Sequence, residues 1–70
     1  MQKREVIGLT LSEAETLAQA DGRQVIVAEE DGVRSNAYYT HLTTILTGND
    51  VYVVVENGVI SRLFGVGGHA

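Results

Sequence analysis

The sequence predicts a small α+β domain in which one helix packs on a small mixed β-sheet that carries an extended loop or an extra edge strand. Three observations lead there. Residues 10–22 read as a capped amphipathic helix, residues 25–28 and 51–55 are β-branched runs, and Asn57-Gly58 separates two strand-like arms.

The helix is the strongest local pattern. Thr10 followed by Glu13 has the spacing of a capping box, and Ser12 with Glu15 repeats it two residues on. Leu11, Ala14, Leu17, Ala18 and Asp21 fall on one helical face, apolar except at its end. Glu13 and Glu15 sit near the positive end of the helix dipole, and Gly22 stands where a left-handed terminating residue belongs. A helix over about 11–21 is expected. The run at 25–28 then makes a strand stopped by acids and an Asp31-Gly32 turn. Asn and Gly both tolerate positive φ, so Asn57-Gly58 is a hairpin turn and residues 51–64 form the centre of the sheet. The expected core is Leu11, Ala14, Leu17, Ala18, Val25, Val27, Val53, Val55 and Leu63.

Composition limits what such a domain can do. Seventy residues make a single domain spanning 1–70, and a chain this small buries only about 60% of the surface its unfolded form exposes. There is no cysteine, so neither a disulfide nor a thiolate metal site adds to the core. Nine acidic against five basic residues give a net charge of −4, which argues against binding a nucleic-acid backbone. No apolar run approaches the ~20 residues needed to cross a bilayer. The start "MQKREVIGLT" has charge but no apolar stretch or cleavage site, so no signal peptide is expected. The chain is cytoplasmic, or secreted if it begins after processing, and the absence of cysteine fits both.

Catalytic chemistry finds little support. His41 and His69 lie far apart, without the further ligands a metal needs. The acidic "EEDG" at 29–32 lacks the spacing of a calcium loop. Ser12 reads as a cap and Ser35 as a loop residue, neither with an assignable base. The glycines of "GVGG" do not open a helix after a strand, as a phosphate cradle requires. The expectation is a protein that is not an enzyme, with no cofactor and no metal.

The segment "NAYYTHLTTILTGND" fits neither pattern cleanly. Its Tyr, Thr, Ile and Leu favour a strand, and periodicity alone points to one. Neither alternation gives a wholly apolar face, however, and a surface loop offering an extended peptide to a partner is the other reading.

The stretches "IGLTLSEAETLAQADG", "QVIVAEEDG" and "VYVVVENGVISRLFGVG" together resemble the potato type I serine protease inhibitor family, most nearly its small bacterial, cysteine-free relatives. The shared order is a Gly before a capped helix with Glu-Ala, a hydrophobic strand, an inhibitory loop, a Val-rich strand, a turn and a closing strand. The resemblance implies a non-enzymatic inhibitor whose loop, around residues 43–48, enters a subtilisin- or chymotrypsin-like protease as an extended peptide. Thr43, Thr44, Ile45, Leu46 and Thr47 would form that loop. Thr44 would precede Ile45, and the scissile bond would be Ile45–Leu46, with Leu46–Thr47 as the alternative. This chain departs from the pattern after the bond. Leu46 stands where the family usually has an acid, and Gly48, Asn49 and Asp50 occupy the region of the loop-bracing arginines. Without that brace the loop loses pre-organisation, so it binds weakly or is cut as a substrate. The alternative is a non-inhibitory, self-associating or protein-binding module working through 37–46.

That segment carries no charge from Ala37 to Leu46 and none of the prolines or lysines that protect natural edges. A homodimer paired through it is therefore expected, with Tyr38, Tyr39, Leu42 and Ile45 in or beside the contact.

Overall fold

A computed structural model describes residues 2–43 and 50–64, with the backbone alone for 40–43. It is an α+β structure. A 3-10 turn (Lys3–Val6) leads to α1 (Leu11–Gln19), β1 (Gln24–Glu30), β2 (Val33–Arg34), α2 (Asn36–Thr43), β3 (Asp50–Glu56) and β4 (Val59–Leu63). The four strands form one mixed sheet in the order β2-β1-β3-β4. The central pair β1–β3 is parallel, from Gln24 opposite Asp50 to Glu30 opposite Val55, and the two outer pairs are antiparallel.

Local chemistry sets α1. The Thr10 hydroxyl accepts the Glu13 N–H at 3.2 Å, and the Glu13 carboxylate accepts the Thr10 N–H at 2.9 Å. The second box goes unused, because Ser12 already lies inside the helix. The helix ends two residues earlier than expected. There the Arg23 N–H reaches Ala18 O at 2.8 Å and the Gly22 N–H reaches Gln19 O at 3.1 Å, the paired bonds of a Schellman closure. Gly22, at φ +71°, takes the left-handed position without a Cβ penalty.

Both hairpins turn on two residues with positive φ, Asp31 and Gly32 in one, Asn57 and Gly58 in the other. The turns brace each other. The Asn57 N–H donates to Asp31 Oδ1 at 2.8 Å, and the Asp31 N–H donates to Val55 O at 2.9 Å.

The main core lies between α1, the N-terminal segment and one sheet face. Val6, Ala14, Val51, Val53, Val55 and Ile60 are buried in it, with Leu9, Leu17, Val25, Val27 and Leu63 packed around them. Of the expected core, Ala14, Ala18, Val53 and Val55 are fully buried, while Leu11, Leu17, Val25, Val27 and Leu63 are half-buried. Val6, Ala28, Val51, Val54 and Ile60 join them unforeseen.

The strand reading of residues 37–46 is corrected over its described part, since Asn36–Thr43 is helical. The reason is topological. Parallel neighbours such as β1 and β3 require a connection that runs back along the sheet, and a helix laid over one face does this. Sequence propensity for pleated structure yields to that demand. The edge-strand basis of the expected dimer fails with it.

Candidate interaction surface

The connection between β1 and β3 is anchored by side chains whose anchoring role the sequence did not mark. Ala28 is an extra residue in β1, because Val27 pairs with Val53 while Glu29 pairs with Val54. A bulge turns neighbouring carbonyls to one side and leaves them short of partners. Ser35 meets both. Its hydroxyl lies 2.6 Å from Val27 O and 3.1 Å from Ala28 O, and its N–H donates to Ala28 O at 2.9 Å. Ser35 thus pins the start of α2 to the bulge. Its hydroxyl is committed as a structural donor rather than offered as a nucleophile.

The next anchor is aromatic. Phe64 follows β4, and its N–H donates to Tyr52 O at 2.8 Å, which places it beside Tyr52 on the face opposite the main core. The Tyr38 ring packs against Phe64 at 4.7 Å between centroids, and the Arg34 guanidinium lies 4.4 Å above Tyr38. Tyr38 is therefore held between a cation and a ring, an arrangement worth about 0.5–1 kcal/mol for each contact at a partly exposed site. This stack lays α2 over the second face, where Val54 is buried. Arg34 also approaches Glu29 at 3.8 Å, an exposed pair of little energetic weight.

What the connection shows to solvent is Tyr39, 55% exposed, and Val33, 72% exposed. Between them and β1 runs an open depression bordered by Val27, Glu30, Asp31, Val33, Arg34 and Ser35. Apolar side chains and mixed charge on a braced scaffold suit contact with a protein surface.

The expected site residues divide accordingly. Tyr38 and Tyr39 sit on α2, and their rings meet edge to face at 5.2 Å. Leu42 is in α2, and Thr43 is its last residue. Thr44, Ile45, Leu46 and Thr47 lie outside the described residues, as do Gly48, Asn49 and His69. Among the described residues no group of three His, Cys, Asp or Glu side chains is arranged to hold a metal. No described helix is long and apolar enough to cross a membrane.

Fold and surface together define a small α+β domain whose parallel crossover carries a braced helix. Compared with protein-family models, curated proteins and solved structures, the chain matches none.

Proposed function

We propose that this protein is a non-enzymatic, serine protease inhibitor-like domain that presents residues 43–48 to a subtilisin- or chymotrypsin-like protease. One observation carries the reading. The connection after α2 is tied at both ends, by α2 through Ser35 and the Tyr38 stack, and by Asp50, where β3 enters the sheet opposite Gln24. A short connection between two fixed points loses less entropy on binding than a free one, which offsets part of the missing arginine brace. Ile45 or Leu46 then fills an apolar specificity pocket.

A second reading rests on a different observation. Thr43 closes a helix, so the substrate-like stretch starts no earlier than Thr44, and the exposed Tyr39 belongs to that same helix. This favours a non-inhibitory module that contacts its protein partner through α2.

Titration against a panel of serine proteases separates the two. Inhibition at micromolar concentration, with slow cleavage at Ile45–Leu46, is the expected result. Rapid cleavage between Thr44 and Thr47 without inhibition, or no interaction with any protease, overturns the first reading in favour of the second.

A further inference from the structure

Among the described residues, the pairing pattern of the sheet leaves one stretch of backbone unused. Because Tyr52 bonds toward Phe64, alternation along β3 turns the backbone of Val51, Val53 and Val55 toward β1. In the observed register Gln24 and Ile26 then hold the parallel ladder, while Val25 and Val27 direct their N–H and C=O groups to the outer side of β1. The Ser35 hydroxyl on Val27 O confirms that orientation. β2 covers only Glu29 and Glu30 on that side, and Ser35 adds Ala28. The Val25 N–H, Val25 C=O and Val27 N–H have no partner among the described residues.

We propose that this edge of β1 pairs with the same edge of a second copy, antiparallel about a two-fold axis at Val25, to make one continuous eight-stranded sheet. The proposal does not rest on the protease reading.

Two features select a second copy as the occupant. First, the open groups are self-complementary. A dyad at Val25 lets its N–H donate to the carbonyl of the partner's Val25 while its C=O accepts in return. It also sets the Val27 N–H opposite the backbone of the partner's Arg23. Second, residues 24–28 are uncharged, so two copies of this edge meet without like-charge repulsion. Val25, Ile26 and Val27 are only half-buried, so pairing also removes their remaining apolar surface from water. An uncharged β-branched edge without proline or lysine is what lone sheets avoid.

The experiment uses the full chain made by chemical synthesis, with Val25 N-methylated. The methyl blocks the outward N–H and leaves the side chain and the ladder to β3 unchanged. A second version replaces that amide with an ester, removing the donor without added bulk. Sedimentation equilibrium from low micromolar to millimolar concentration is expected to show a dimer for the natural chain and a monomer for both versions, each with the natural circular dichroism spectrum. A natural chain that stays monomeric throughout overturns the proposal. So does a dimer that survives in either folded version, because its contacts then lie elsewhere.

Discussion

The two outer edges of the sheet are treated in opposite ways. At β4, the N-terminal segment closes the edge from within the chain. The Gly8 N–H donates to Ile60 O and the Ile60 N–H donates to Leu9 O, both at 2.8 Å, and Thr10 bridges to Val59. The same segment brings Val6 into the core against Ile60. At β1 the cover among the described residues is one short strand and a serine, and it stops at Ala28. Closing an edge with a chain segment gives both backbone bonds and buried apolar area, so the β4 side should dominate stability. The β1 side is left to respond to whatever strand it meets.

Ile60→Ala should therefore be the most damaging single change, costing about 2–5 kcal/mol, because Ile60 is fully buried between sheet and N-terminal segment. Denaturant melts check this. A loss below about half a kcal/mol would mean that the closed edge is not where stability resides.

The serines at the two bulges sharpen the comparison. The Ser61 hydroxyl reaches Val54 O at 3.3 Å and Glu56 Oε2 at 2.8 Å, so at β4 its single proton favours the exposed carboxylate. At β1 the Ser35 hydroxyl favours Val27 O at 2.6 Å, while the Ser35 N–H serves Ala28 O at 2.9 Å. Ser35→Ala should cost about 1–2 kcal/mol and Ser61→Ala about half that, since the bond lost to a part-buried carbonyl is 2.6 Å long at Ser35 and 3.3 Å at Ser61. Equal losses in paired melts would contradict the distinction.

Thr10→Ala probes the segment that closes β4, removing one half of the capping box. It should lower stability by about 1 kcal/mol. A pH dependence accompanies it. The backbone N–H of Thr10, then its hydroxyl, hold the Glu13 carboxyl below its ordinary value near 4.5. A depressed carboxyl adds stability that is fully present above that ordinary value and lost as pH falls through the lowered one. Melts between neutral and acid pH should show a slope that Glu13→Gln reduces. An unchanged slope would leave Glu13 without a role.

How much of this was legible in the sequence follows from what is local. Thr10, Glu13 and Gly22 bound α1 by bonds within a few residues, and the Asp31-Gly32 and Asn57-Gly58 turns need only their own φ angles. Those elements are found where they were expected. The helix α2 was not, because what favours it is the parallel pairing of β1 with β3, a contact between residues far apart in the chain. Ser35 looked like any loop serine, since a bulge at Ala28 exists only once β1 and β3 are in register. Val6 and Ile60 were missed for a similar reason, as the N-terminal segment has no periodicity that announces its bonds to β4. Of the candidate reactive residues, Thr43 proved to end a helix, which no spacing of Tyr and Thr implied.

The contrast between the edges is tested most directly by amide hydrogen exchange at Ile60 and Val25, followed from dilute to concentrated protein. The Ile60 amide, bonded to Leu9 within the chain, should be protected equally at every concentration. The Val25 amide should exchange fast in dilute solution and become protected as the protein is concentrated. Equal, concentration-independent protection of both amides would show that β1 is closed within its own chain, and would contradict the account.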